Sequence, residues 1–230
     1  MAVKQPLPAE PRRTVADEVY RALKRDIITL RRPPGAALTE HELAAAYGSS
    51  RVPVREACRR LQQEGLVTAI PYKGYFVNRI SLREIADCFE LRGVLETHAV
   101  DSAVRRASAD GLARLQELAA IEYTYHDWSS YADFLERNQD FHIQLAGLGG
   151  NERLVAVLGD LLGSMQRFFF LGLDLGAFGP EMRREHERLV EALSSGSAAA
   201  AVACVQEQIA SSRQRVQRAL TRNGIDLPIQ

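Results

Sequence analysis

The sequence predicts a mainly α-helical chain in two parts: a small unit of three helices and a β-hairpin, then an all-α antiparallel six-helix bundle. Three observations carry this. Between Thr14 and Gln63, apolar residues recur at three- and four-residue intervals in short segments broken by Pro33-Pro34-Gly35 and by Gly48. Two β-prone runs follow at once, on either side of Pro71-Tyr72-Lys73-Gly74. From Ser81 onward helical periodicity returns and continues to about residue 221, interrupted only by Gly, Ser, Asn or Pro.

The first helix is expected from Thr14 to Leu30, with Val15, Val19, Leu23, Ile27 and Leu30 on one face. Arg31-Arg32-Pro33-Pro34-Gly35 stops it. Thr39-Glu40-His41-Glu42 is a capping box before Leu43-Ala44-Ala45-Ala46-Tyr47, and Gly48 suits the C-terminal cap. Ser49 or Ser50 then caps a third helix through Gln63, with Pro53 tolerated because the first turn needs no N–H there. Leu66–Ile70 and Tyr75–Asn78 form the hairpin, completing a winged helix-turn-helix. Ser81-Leu82-Arg83-Glu84 is a second capping box, opening a long helix with Ile85, Phe89, Leu91, Leu95 and Val100 inward. Further helices are expected at about 109–126, 129–147, 151–173, 180–194 and 198–221, the last with an alanine-rich start suited to close packing. The domain boundaries expected are a flexible arm at 1–12, the winged unit at 13–79, the bundle at 80–222 and a tail at 223–230.

The 230 residues, 46% hydrophobic and 25% charged, suit a globular chain with one or two cores. The net charge of zero hides a division: residues 1–80 hold 14 Lys and Arg against 8 Asp and Glu (+6), leaving 15 against 21 (−6) for residues 81–230. A basic front points to a polyanionic partner. No unbroken apolar run approaches the ~20 residues of a membrane span, and the N-terminus has no signal-peptide core, so a cytoplasmic protein is expected. Cys58, Cys88 and Cys204 lie far apart with no CxxC spacing, as small buried thiols would.

On the third helix Val54, Cys58 and Leu61 make an apolar face, while Arg51, Arg55 and Arg59 form a row on another, each ~6 Å from the next along the axis. The N-terminal end of such a helix enters the major groove, so Arg51 and Arg55, with Ser50 and Val52 beside them, are placed to reach base edges or the first phosphates. Lys73 at the hairpin tip, beside Gly74, suits phosphate or minor-groove contact. A metal-dependent enzyme in the helical part and an effector-independent architectural DNA binder are the competing readings. His186-Glu187 begins an HExxH pattern, but Val190 stands where the second histidine belongs, and no GxSxG or P-loop motif occurs. No enzyme is expected.

Residues about 13–77, above all ELAAAYGSSRVPVREACRRLQQEGLV and PYKGYFV, resemble the winged helix-turn-helix of the GntR family of bacterial transcription regulators. The helical remainder resembles the FCD effector domain in its VanR-like six-helix form, through ELRGVLE (90–96), NQDFHIQLAGLGGN (138–151) and EHERLVEAL (185–193). The resemblance implies DNA contacts at His41, where an arginine is usual, and at Arg51, Arg55, Lys73 and Gly74. It also implies a homodimer on palindromic operator DNA, most often a repressor released by a small organic acid, with coupling through the junction near Arg79–Glu84. In the bundle, Asn138 and His142 share a helix face, and antiparallel helices can aim His186 and Gln208 at the same interior point. The matching positions of FCD domains hold a divalent metal of the zinc, nickel or manganese class beside an arginine matching Arg92. Here Asn138 stands where an aspartate often does, and Gln208 replaces the third histidine. Two readings follow: a weakened metal site on Asn138, His142 and His186, or a metal-free pocket in which Arg92, Asn138, His142, His186 and Gln208 hydrogen-bond the effector. Blandly, His142 is a core histidine and Arg92 pairs with Glu96.

Overall fold

The computed structural model describes residues 14–173 and 175–222. The arm expected at 1–12 and the tail at 223–230 lie outside the described residues. Helix α1 (Val15–Ile28) opens on a reciprocal cap, Thr14 accepting from Asp17 N while the Asp17 carboxylate accepts from Thr14 N. Val19, Leu23 and Ile27 are buried as expected, but Val15 is exposed and Leu30 leaves the helix at φ 58°. A short strand β1 (Ala37–Leu38) leads into α2 (Glu40–Ala46), and Gly48 at φ 58° turns the chain into α3 (Arg51–Gln63). Ser50 is the residue before α3, yet its side chain makes no capping bond, which leaves Pro53 in the first turn as the local start signal.

Strands β2 (Val67–Ile70) and β3 (Gly74–Val77) make the expected hairpin, with Val67 opposite Val77 and Ile70 opposite Gly74. Strand β1 pairs with the other edge of β3, so the sheet has three antiparallel strands in the order β1-β3-β2. Two residues cannot display an alternating period, which is why β1 has no signature. Val54, Ala57, Cys58 and Leu61 of α3 pack with Leu23, Ile27, Leu43, Leu66 and Val77 into one small core. Burial there pushes the Cys58 thiol up to about 11, whereas Cys88 and Cys204 are only half-buried.

Six helices follow: α4 (Leu82–Arg106), α5 (Ala109–Ala119), α6 (Trp128–Leu148), α7 (Glu152–Leu173), α8 (Gly179–Ser194) and α9 (Ala198–Arg222). Helix α5 ends well before the expected residue 126, because the segment after it docks on the α7–α8 turn instead. There the Tyr123 hydroxyl donates to Gly176 O and accepts from Phe178 N, each at 2.8 Å. Helix α7 taken alone is apolar enough to cross a membrane, with a mean hydropathy of 1.5 over its best window, but 61% of that window is buried in the bundle. The inward stripe of α4 also departs from expectation. It steps through Ile85, Phe89, Arg92, Glu96, Val100 and Ala103, leaving Leu91 at 43% exposed. Two charged residues thus occupy core positions.

The two parts meet across Ile28 of α1, which packs with Tyr131, Phe134, Leu135, Phe170 and Leu173. Arg167 of α7 closes the junction, its guanidinium donating to Asn78 O at 2.7 Å and to Glu84 Oε1 at 2.6 Å. The side chain is 1% exposed and reaches the end of β3 and the first turn of α4 at once. Replacing it with alanine opens a cavity and leaves Asn78 O and Glu84 without their donor. Arg167→Ala is expected to cost about 3 kcal/mol of unfolding free energy in urea titration; a loss below about 1 kcal/mol would show that the junction is held by apolar packing alone.

Candidate functional site

The exposed surface of the N-terminal unit is built from α2, α3 and the β2–β3 turn. The apolar face of α3 is spent on the core, so Arg51, Val52, Arg55 and Arg59 face solvent, Val52 at 73% exposed. A β-branched side chain that open, at a helix start, has no packing role of its own in this chain. Arg55 is held from below: its Nε and Nη2 donate to the two carboxylate oxygens of Glu40 at 2.7 and 2.8 Å. This two-point pairing fixes the guanidinium plane, and the Arg55 partner lowers the Glu40 carboxyl. His41, the next residue on α2, is exposed, as is Ser50. Arg60, beside the row, turns away and pairs with Asp17 at 2.7 Å, over the Tyr20 ring. Glu64 is taken by Lys24 at 2.7 Å and by the Tyr20 hydroxyl. At the hairpin, Tyr72 and Lys73 project into solvent, and Gly74 stands at φ 93° with room for a Cβ only 3.2 Å from Leu38 O. Glycine is required there by both conformation and the approach of β1. The seven residues singled out from the sequence thus lie on exposed parts of α2, α3 and the hairpin or, in Gly74, give the hairpin its turn.

In the bundle, Arg92 of α4, Asn138 and His142 of α6, His186 of α8 and Gln208 of α9 line one cavity of about 30 Å³. Four helices therefore bring together all five residues expected there. Phe134, Leu135, Phe169, Leu173, Met182 and Val216 supply its apolar wall. Arg92 Nε donates to Glu96 Oε1 at 2.5 Å, and Nη2 lies 3.1 Å from His142 Nε2. A guanidinium can only donate, so His142 Nε2 accepts and its proton sits on Nδ1, 2.8 Å from Glu96 Oε2. Burial would raise the Glu96 carboxyl, but the charge of Arg92 and the hydrogen bonds from His142 and Arg92 outweigh it and hold it at about 2. The His186 ring packs on Phe141 with centroids 4.2 Å apart and meets the His142 ring edge-on at 5.5 Å. Gln208 Nε2 donates to Glu185 O at 2.5 Å, leaving Oε1 as a buried acceptor without a partner, and His186 Nδ1 is likewise unpartnered.

Glu185, Ser212 and Arg215 of this wall escape the sequence reading, and Glu96 is read there only as the partner of Arg92. Glu96 is visible as the i+4 neighbour of Arg92 but not as the partner of His142, which lies 46 positions on in sequence. Arg215 and Glu185 pair with each other at 3.2 Å. Arg215 follows Gln208 and Ser212 at helical spacing on α9, a signal in hindsight, whereas nothing local marks Glu185.

These donors do not fit a divalent cation. Arg92 covers His142 Nε2, the nitrogen a metal would need, with a positive charge of its own, and the other nitrogen faces Glu96. Among the described residues, no group of three or more His, Cys, Asp or Glu is arranged to hold an ion. In this arrangement the Arg92 guanidinium stands against the His142 nitrogen that the expected set of Asn138, His142 and His186 would use.

Burial, and after it the neighbouring His142 and Arg92, push the His186 imidazole well below its ordinary 6.5. The unfolded chain binds a proton there as pH falls below 6.5 and the folded chain does not, so this contribution to stability is complete above 6.5 and is lost on acidification. Glu96 adds a second window, with stability present above its unfolded value of 4.5 and lost as pH falls toward 2. Unfolding free energy should thus decline in two stages, and His186→Phe should flatten the first while leaving the second. A variant profile parallel to the native one between pH 7 and 5 would rule out a buried neutral His186.

Comparison with known proteins places both parts. Residues 15–77 match the bacterial regulatory proteins of the gntR family, and residues 87–211 match the FCD domain. An HTH-type transcriptional regulator of an unstable DNA locus in Streptomyces ambofaciens is 30% identical over 184 residues, covering 80% of this chain and 77% of its own length. The HTH-type transcriptional repressor RspR of Escherichia coli is 27% identical over 189 residues, covering 80% of each. In fold, the crystal structure of a putative GntR transcriptional regulator from Rhodococcus superposes with a TM-score of 0.70 at 22% identity, over 89% of this chain and 98% of that one. The winged unit and the six-helix bundle behind it agree with these matches, and the chain belongs to the GntR family of DNA-binding bacterial transcriptional regulators, in the group that carries an FCD domain.

Proposed function

We propose that this regulator is a ligand-responsive repressor, a homodimer that binds a palindromic operator through residues 13–79 and releases it when a small organic acid or related metabolite enters the bundle formed by residues 80–222. It works in the bacterial cytoplasm. The observation that carries the reading is the convergence of Arg92, Asn138, His142, His186 and Gln208 on one cavity, with buried polar atoms left unpaired, behind a DNA-binding unit. Orphaned polar groups in a cavity are costly unless a ligand or water meets them.

On DNA, the start of α3 enters the major groove. Arg51 and Arg55 donate to guanine N7 and O6 or to flanking phosphates, Ser50 and Val52 lie against the groove, and His41 reaches the backbone from α2. Glu40 pre-orients Arg55 and so lowers the entropy lost on binding. Lys73 takes a phosphate beside the wing, where Gly74 lets the backbone approach. The signal has a rigid route. Helix α7 contributes Phe169, Gly172 and Leu173 to the cavity wall and, two residues before Phe169, Arg167 to the junction at Asn78 and Glu84. A ligand that moves this wall moves the segment that positions the wing, provided it favours one arrangement over the other.

Selection of bound fragments from random DNA, followed by anisotropy titration, provides the operator and the test. Arg55→Ala should weaken operator binding by about 1–3 kcal/mol and relax preference at one base step. Lys73→Ala should weaken all sequences alike and reduce the salt dependence by about one ion. Equal affinity of the native chain for every fragment would instead identify an architectural binder. For repression, a promoter fusion should be derepressed in cells lacking the protein.

A further inference from the structure

The cavity's charges are already balanced within the chain. Arg92 is paired with Glu96, both at most 3% exposed, and Arg215 is paired with Glu185 at 3.2 Å and with Glu181 at 3.5 Å. Of the described residues on the wall, neither arginine is left with an uncompensated charge for an anionic ligand. A carboxylate entering here would compete with Glu96 for one guanidinium, placing two like charges together in a site that excludes water.

The unpaired atoms make the opposite demand. Gln208 is 5% exposed, and because its Nε2 donates to Glu185 O, its Oε1 can only accept. A carboxylate offers no donor to it. His186, 3% exposed, has Nδ1 unpartnered on the same cavity. Around them stand Phe134, Leu135, Phe169, Leu173 and Val216, which favour hydrocarbon. The existing 30 Å³ holds little more than water. Met182, on the wall and half-buried, is the side chain best able to give way, since its unbranched thioether changes rotamer readily.

We infer that the ligand of this pocket is an uncharged molecule with a hydroxyl or N–H donor on a small hydrocarbon body, the donor directed at Gln208 Oε1. This rests on the ligand-sensing reading above and narrows it from an organic acid to a neutral metabolite. Glu96 then acts as a built-in carboxylate that fills the place of an acidic effector. The specificity is thus set by a residue that need not touch the ligand.

The test uses matched alcohols and acids on the full chain treated with a chelator: benzyl alcohol against benzoate, and 1,4-butanediol against succinate, by thermal shift and calorimetry. At least one alcohol should bind tenfold or more tighter than its acid, and Gln208→Met should remove that binding without lowering the melting temperature of the free protein by more than a few degrees. The isosteric Glu96→Gln should reverse the order, because it frees Arg92 for the acid. Acids binding better than alcohols to the native chain, or an alcohol-to-acid ratio unmoved by Glu96→Gln, would overturn this inference while the pocket remained a ligand site. Binding of neither member of either pair, by the native chain and by Glu96→Gln, would overturn the ligand-sensing reading with it. If only adding zinc ions produced binding of the acids, the charge-balanced pocket would be wrong and a metal site right.

Discussion

The guanidinium of Arg167 lies in the middle of an apolar helix and ties the two halves of the molecule together. It donates to the carbonyl of Asn78, just past the wing, and to Glu84 in the first turn of α4. A charge at 1% exposure is tolerable only where its partners are good, and here one is a carboxylate and the other a backbone oxygen that would otherwise lack a donor. The neighbouring side chains on α7 are committed to other tasks: Phe168 to the bundle core, Phe169 to the cavity, Phe170 to the contact with Ile28 of α1. One turn of helix thus touches junction, core, pocket and DNA-binding unit. Because such interiors are close-packed, none of the four can shift alone.

The same economy of charge recurs deeper in the bundle. Arg92, Glu96 and His142 satisfy one another across two helices, and Arg215 with Glu185 does so across two more. Buried ion pairs contribute little net stability, since desolvation offsets most of their attraction. What they do provide is definition: the tautomer of His142 and the orientation of Arg92 follow from their partners. The polar atoms left over on the cavity wall, on Gln208 and His186, stand beside charged groups that are matched.

On the exposed face of α2 and α3 the arrangement differs, because exposed charges keep their hydration. Arg51 and Arg59 stand free in solvent, and only Arg55 is held, by a carboxylate one helix away. An exposed pair of this kind adds little stability. Its effect is on geometry, fixing the plane of the guanidinium fork on the exposed face of α3.

Local signals carried much of this protein. Caps at Thr14, Thr39 and Ser81, the stop at Pro33-Pro34-Gly35, the turn at Gly48 and the hairpin glycine Gly74 are short-range features, and their elements formed within a few residues of expectation. The exposed residues of α3 were legible for the same reason, since one helical period assigns both faces. The convergence of Asn138, His142, His186 and Gln208 needed the family resemblance as well as spacing. Where several helices meet, periodicity failed. It chose Leu91 over Arg92 as an inward residue because hydrophobicity was its only guide, and only the tertiary structure, by setting Glu96 and His142 against Arg92, made burial of that charge affordable. It was blind to β1, to the shortened α5 and to Arg167, each decided by a partner far away in sequence. The neighbour of His142 was likewise a tertiary matter: residue identities allowed several, and the packing of α4 against α6 set the Arg92 guanidinium 3.1 Å from its Nε2, because only the fold brings residues 50 positions apart within hydrogen-bond reach.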